Sequence, residues 1–193
     1  MASQLCLVLG GVRSGKSAFA EKKAALFSPP DGGQPTLYVA TGLATDDEMK
    51  ERIRRHQESR PPHWSLLEEP CKLAEKLAPL LKGPASPGVV IPEVVMIDSV
   101  DVWVANLLME HQAETKAFAE KTALAELDRL LALAADSSQG FIMVSSEVGL
   151  SLVPAEPLGR RFQDLLGTVN QKIAAAATEV FLVVAGLPTK LKP

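Results

Sequence analysis

The sequence predicts an α/β fold with a mostly parallel sheet and helices on both faces, and three observations predict it. Short apolar runs alternate along the chain with longer stretches of helical composition, the pattern that pairs strands in parallel and lays crossover helices on the sheet. The first apolar run passes into Gly10, Gly11, Val12, Arg13, Ser14, Gly15, Lys16 and Ser17, which match G-x-x-x-x-G-K-[ST] in full between a strand and a helix. The 193 residues suffice for one well-buried α/β domain and are too few for two ordinary ones. The expected architecture is a single P-loop NTPase-like (RecA-like) domain over residues 1–193.

The elements follow in order. Residues 4–9 (QLCLVL) form an apolar run ended by glycines, as in a strand buried on both faces. Residues 15–27, rich in Ala, Lys and Glu, read as a helix, and the Pro/Gly cluster at 28–33 as a loop. Residues 36–40 (TLYVA) give a second strand. Residues 46–59 give a charged helix whose acidic start suits the helix dipole, stopped by Arg60-Pro61-Pro62. Residues 64–68 read as a short strand, and Pro70 suits the first turn of a helix to Leu81. Three prolines and two glycines make 82–93 a surface connection. Residues 94–97 (VVMI) form a buried strand ended by Asp98, with helices expected at 102–111 and 115–135. Residues 141–145 form a strand, 147–157 a loop or hairpin and 158–178 a long helix, and a strand at 180–184 closes the sheet.

Composition narrows the class. An apolar fraction of 47% and a charged fraction of 22% are those of a soluble globular protein. The net charge of −3, with acids and bases mixed, argues against nucleic acid as main partner, which needs a concentrated positive field. Cys6 and Cys71 show neither CxxC nor Cys/His ligand spacing, which fits a reducing cytoplasm better than a disulfide framework or a zinc site. The apolar run at 5–9 is too short and lacks the cationic lead-in of a secretory signal, and no stretch approaches the ~20 apolar residues of a membrane span.

The glycine-rich turn carries the chemistry. Gly10 and Gly15 allow backbone angles and close approach that a side chain blocks, so the turn's amides can point at phosphates. Lys16 is expected to reach the β- and γ-phosphates, and the Ser17 hydroxyl to ligate Mg²⁺. Asp98 reads as the acid at the end of a neighbouring strand, holding Mg²⁺ through water or binding ribose or base, or equally as a helix N-cap ahead of Val100. On the helix 46–59, the face of Met49 and Ile53 also carries Arg52, His56 and Arg60. Two readings of His56 stand side by side: a nucleophile on an inward anion site, or a half-exposed imidazole beside solvated arginines, which spacing alone favours. His63 reads as a packed turn residue and His111 as a dipole partner at a helix end.

Six blocks carry a resemblance: GGVRSGKSAFAE at 10–21, YVATG at 38–42, DDEMKERIRRHQESRPPHW at 46–64, IDSVDVWVANLL at 97–108, SSEVGLSLVP at 145–154, and GRRFQDLLGTVNQKIAAAATEVFLVVAGLPTKLK at 159–192. The chain resembles the bifunctional adenosylcobinamide kinase / adenosylcobinamide-phosphate guanylyltransferase family of cobalamin biosynthesis over nearly its whole length. The resemblance implies two reactions. The aminopropanol hydroxyl of adenosylcobinamide is phosphorylated by ATP or GTP; GMP then passes from GTP to that phosphate, releasing pyrophosphate and giving adenosylcobinamide-GDP. It implies that GMP is first carried covalently on His56, which overturns the plain reading of that residue. It also implies nucleotide contacts at the phosphate loop and at Ala40, Thr41, Gly42, Gln57, Glu58, Ser59, Arg60, Glu68 and Asp98, and a homotrimer with sites near subunit boundaries.

The fit has departures. Arg55 stands where some members have a second histidine, Asp98 replaces a glutamate of some relatives, and the connection at 82–93 looks long. Asp101 stands where a small hydroxyl residue is common and adds negative charge near a phosphate-handling site. Two rival functions are a kinase of another small metabolite and a non-catalytic GTP-binding module, the latter disfavoured because the chain has no [NT]KxD guanine-reading motif.

Overall fold

The computed structural model describes residues 4–27, 36–43, 47, 50, 51, 54, 61–82 and 91–192. Its elements are β1 (Leu5–Gly10), α1 (Lys16–Phe27), β2 (Thr36–Ala40), β3 (Ser65–Glu68), α2 (Leu73–Leu81), β4 (Val94–Asp98), α3 (Val100–Glu110), α4 (Lys116–Asp136), β5 (Gly140–Ser146), α5 (Pro157–Ala176), β6 (Glu179–Val184) and β7 (Leu187–Lys192). The seven strands form one sheet in the order β3-β2-β4-β5-β1-β6-β7. Every neighbouring pair is parallel except β6 and β7. The expected α/β architecture is therefore present.

Each apolar run feeds two cores, because successive residues of a strand face opposite sides of the sheet. Leu5, Leu7, Leu9, Leu37, Val39, Val95, Ile97, Phe141 and Met143 point to one face, where α2, α3, α4 and α5 cover them. Cys6, Val8, Tyr38, Met96, Ile142 and Val144 point to the other, against Ala20 and Ala24 of α1 and against Trp64. Two buried alanines four residues apart let α1 lie close on the sheet, which fixes the direction of its N-terminus. Each large apolar side chain so buried contributes about 1.5–3 kcal/mol. Among the described residues no helix is long and apolar enough to cross a membrane.

Several expectations need correction. The strand at 180–184 does not close the sheet: Ala185 and Gly186 make a tight turn with φ of 51° and 80°, and β7 returns antiparallel as the edge strand. Pro70 does not begin α2. The Glu69 carboxylate accepts the Cys71 and Lys72 amides at 2.9 and 2.7 Å, holding a bend that delays the helix to Leu73. Asp98 is the last residue of β4, and Ser99 occupies the N-cap position of α3, so the capping reading of Asp98 fails. His63 sits in a turn but is exposed; Trp64 beside it is the packed residue, stacked on Tyr38 at 6.5 Å. His111 is the C-cap residue of α3, as expected. Asp47, Lys50, Glu51 and Arg54 are helical; the rest of the expected helix 46–59, including His56 and Arg55, lies outside the described residues.

Candidate nucleotide-binding site

β1 delivers the phosphate loop to the edge of the sheet where the parallel strands end, the edge at which open α/β sheets bind ligands. Gly10 stands opposite Ser146 of β5 and Val183 of β6. A side chain on Gly10 would overlap the Ser14 hydroxyl and come within 2.7 Å of the Val183 carbonyl oxygen, so only glycine fits there. Gly15, with φ of +91°, makes the turn into α1 that other residues rarely adopt. Ser14 N–H donates to the Gly11 carbonyl at 3.3 Å, and Glu147 N–H to the Gly10 carbonyl at 3.1 Å, so both ends of the loop are tied.

Inside the loop, Lys16 is buried and its Nζ donates to the Gly11 carbonyl at 3.2 Å, which curls the ammonium across the turn. The Ser14 Oγ is buried with no hydrogen-bond partner among the described residues. Ser17 lies half-buried on the first turn of α1. A helix N-terminus, an ammonium and a hydroxyl in need of a partner converge here, an arrangement suited to an anion.

A second group of expected residues lies further along the same edge. Ala40 pairs in register with both Glu68 and Asp98, so the ends of β3, β2 and β4 bring these three side by side. The Tyr38 hydroxyl donates to Asp98 Oδ2 at 2.9 Å. Thr41 is fully buried: its hydroxyl donates to the Ser99 carbonyl at 2.8 Å and accepts the Ser99 N–H at 2.9 Å, pinning Ala40-Thr41-Gly42 to the end of β4. Asn106 Nδ2 donates to the Thr41 carbonyl at 2.8 Å. Glu68 is exposed. The acid-bearing strand is not next to β1, because β5 intervenes. Asp98 is in register with Val144 and, through it, with Val8, so it lies two strands across and two residues back from Gly10, too far at about 4.8 Å per strand to touch the loop directly.

The intervening β5 supplies groups that the sequence reading did not single out. Ser146 Oγ donates to Asp101 Oδ2 at 2.8 Å, and Ser145 Oγ donates to Asn170 Oδ1 at 2.7 Å. The turn after β6 is another: Gly186 N–H donates to the Ser14 carbonyl at 2.7 Å, so the terminal hairpin buttresses the loop from behind. Its two-residue spacing is that of a hairpin, but Ala-Gly is not among the dipeptides that mark one, and the run after it, LPTKLK, does not read as a strand. Burial pushes the Cys6 thiol up to about 12; burial and then Glu110 do the same for Cys71. Neither thiol is a nucleophile near neutral pH. His56, Gln57, Glu58, Ser59 and Arg60 lie outside the described residues.

A strand, a tight loop and a helix N-terminus aimed at one point on the carboxyl edge of a parallel sheet define an α/β nucleotide-binding protein of the P-loop class. The family model described as cobinamide kinase / cobinamide phosphate guanyltransferase, CobU, matches residues 6–191, and the chain belongs to that family, whose members are enzymes with kinase and nucleotidyltransferase activity. It is 38% identical to the bifunctional adenosylcobalamin biosynthesis protein CobU of Escherichia coli K12, over 97% of this chain and 99% of the relative. Identity is 37% to the bifunctional protein CobP of Pseudomonas aeruginosa, over 96% of each chain, and 36% to CobU of Salmonella typhimurium, over 97% and 99%.

Proposed function

We propose that this chain phosphorylates the side-chain hydroxyl of adenosylcobinamide with ATP or GTP, and then transfers GMP from GTP to the new phosphate through His56. The observation that carries the reading is the tied phosphate loop, with Ser14 and Lys16 buried in it, within a chain that matches its family over residues 6–191. In the first reaction the amides at the start of α1 and the Lys16 ammonium bind the β- and γ-phosphates and neutralise charge as it develops. In the second, an imidazole nitrogen of His56 attacks the α-phosphorus and the bond to the β-phosphate oxygen breaks, so pyrophosphate leaves. The corrinoid phosphate oxygen then attacks that phosphorus and the P–N bond breaks, which frees the histidine. Ala40, Thr41, Gly42 and Glu68 on the neighbouring strand ends, with Gln57, Glu58, Ser59 and Arg60, are assigned to ribose and base, and Asp98 to the nucleotide's Mg²⁺ through water.

The donor set fits Mg²⁺ carried in on the nucleotide. Ser17 and Asp98 offer hard oxygens, and the described residues hold no group of three or more His, Cys, Asp or Glu that would make a self-sufficient cage. Bound there, Mg²⁺ would be held by the Ser17 hydroxyl and, through water, by Asp98, and would neutralise phosphate charge. The reading also takes the protein to be a cytoplasmic homotrimer.

The test uses α-labelled GTP with Mg²⁺ and no acceptor. The reading expects acid-labile, base-stable label on the wild-type protein. It expects none on His56→Ala, which still phosphorylates adenosylcobinamide because only GMP transfer needs the covalent carrier. A wild-type protein that takes up no label removes the guanylyl carrier, and equal loss of both activities in folded His56→Ala removes the division of labour.

A further inference from the structure

Beside the phosphate loop lies an open cavity of about 530 Å³, lined on one side by Gly11 and Val12 and on the other by Ser146, Glu147 and Leu150. Gly11 and Val12 are the strand-side half of the loop. The helix-side half, Gly15 to Ser17, is where amides and ammonium hold a triphosphate, so a molecule in this cavity meets the nucleotide from the opposite side.

The cavity is lined by one carboxylate oriented by a hydroxyl. Asp101 Oδ2 accepts the Ser146 hydroxyl at 2.8 Å, while Asp101 Oδ1 is buried and has no hydrogen-bond partner among the described residues. A buried carboxylate oxygen without a donor is costly, and a ligand hydroxyl is the donor that relieves it. The other carboxylate in the lining, Glu147, is engaged with its own loop, where Oε1 accepts the Gly149 N–H at 2.6 Å. Apart from Ser151, the remaining side chains of the lining are apolar, and Val12, Leu150 and Val184 among them are 81%, 87% and 61% exposed. Such walls suit the uncharged body of a large molecule. Two acidic side chains in the lining disfavour an acceptor that is already anionic. The chemistry selects a neutral alcohol over its phosphate ester.

We propose that this cavity is the acceptor-alcohol site of the kinase reaction and that Asp101, held by Ser146, receives the hydroxyl proton. The inference rests on the kinase half of the function proposed above and adds the residues that take the alcohol. In the step, the acceptor O–H proton passes to Asp101 Oδ1 and the oxygen forms a bond to the γ-phosphorus. The bond from that phosphorus to the β,γ-bridging oxygen breaks, and the nucleoside diphosphate leaves with the electron pair. Asp101 then returns its proton to solvent. The new phosphate ester faces Asp101 and Glu147, which favours its exit from the cavity.

The experiment is steady-state phosphorylation of adenosylcobinamide by GTP, with GTP affinity measured separately. Asp101→Asn is expected to lower kcat about 100-fold or more, the span of a lost general base, with GTP affinity unchanged. Leu150→Glu, a change at an exposed wall, is expected to raise KM for adenosylcobinamide about tenfold with kcat near wild type, the mark of lost ground-state binding. A merely structural role for Asp101 would move affinity and kcat together. An Asp101→Asn enzyme that keeps kcat within about threefold of wild type overturns the proton-acceptor assignment. Should that variant fail to bind GTP, Leu150→Glu decides: an unchanged KM overturns the cavity. A wild-type protein that phosphorylates no adenosylcobinamide refutes the proposed function itself, whereas an active wild type with insensitive variants refutes only this inference.

Discussion

Replacing Gly10 with alanine probes the loop where it has least room. The added Cβ would lie 2.7 Å from the Val183 carbonyl oxygen, where 3.4 Å or more is ordinary contact, and would also overlap the Ser14 hydroxyl. Ser14 can rotate away, but Val183 cannot, because β1 and β6 are hydrogen-bonded in register at that pair. The strands or the loop must part by several tenths of an ångström, an overpacking that costs about 1–3 kcal/mol. For a chain of this length each kcal/mol lowers Tm by about 2–4 °C, so Gly10→Ala should melt about 2–12 °C below wild type. Displacing the start of the loop also misaims its amides, and GTP binding should weaken by about tenfold, equivalent to one mispositioned hydrogen bond. Gly11→Ala is the internal control for stability, since nothing lies within 4 Å of a Cβ there. Differential scanning calorimetry and titration calorimetry with GTP read both effects. A Gly10→Ala protein that melts and binds GTP like wild type would refute the steric account of the loop.

Three further expectations follow from other parts of the structure. Lys16→Ala should weaken GTP binding about 10- to 100-fold, the loss of a charge-assisted contact worth about 1.5–3 kcal/mol, with impaired phosphorylation and impaired GMP transfer; calorimetry and turnover assays check it. Ala185→Asn should raise Tm by about 2–4 °C, because alanine at φ 51° carries about 1 kcal/mol of strain that Asn tolerates in an Asn-Gly hairpin turn. Glu179→Gln should lower Tm by a similar amount at pH 7, since Glu179 joins Lys23 of α1 and Lys190 of β7 at 2.5 and 2.8 Å, worth about 1 kcal/mol together. Hydrogen bonds from Lys190 and then Lys23 hold the Glu179 carboxyl below its ordinary range. A depressed folded value means the stabilisation is present at neutral pH and lost as pH falls through that value. The wild-type and Glu179→Gln melting curves should therefore converge in acid, which a pH series of melts reads directly.

The layer architecture was legible because both faces of the sheet are buried, which turns each central strand into an unbroken apolar run such as LCLVL or VVMI. The phosphate loop was legible because its glycines answer local constraints, a clash at Gly10 and a positive φ at Gly15. The edge strand was not: β7 reads LPTKLK, almost wholly exposed, and its pairing to β6 is a tertiary fact that composition does not carry. Strand order was hidden for the same reason. Asp98 looks adjacent to the loop in a linear reading, yet β5 stands between and brings Ser146 beside Gly10 instead. The start of α2 was misjudged because Glu69 takes amides that a helix beginning at Pro70 would have used. At Asp101 the sequence showed only an added charge; its pairing with Ser146, 45 residues away, needed the fold.

The central claim is that one chain performs two group transfers on one corrinoid, and product analysis with doubly tracked GTP tests it most directly. The purified protein is incubated with adenosylcobinamide, Mg²⁺ and GTP labelled at either the α- or the γ-phosphate, and the corrinoid products are separated by mass. The account expects γ-label first on adenosylcobinamide phosphate, then adenosylcobinamide-GDP carrying α-label, with pyrophosphate released in step. Corrinoid recovered without either label, while GTP still binds the loop, would contradict it.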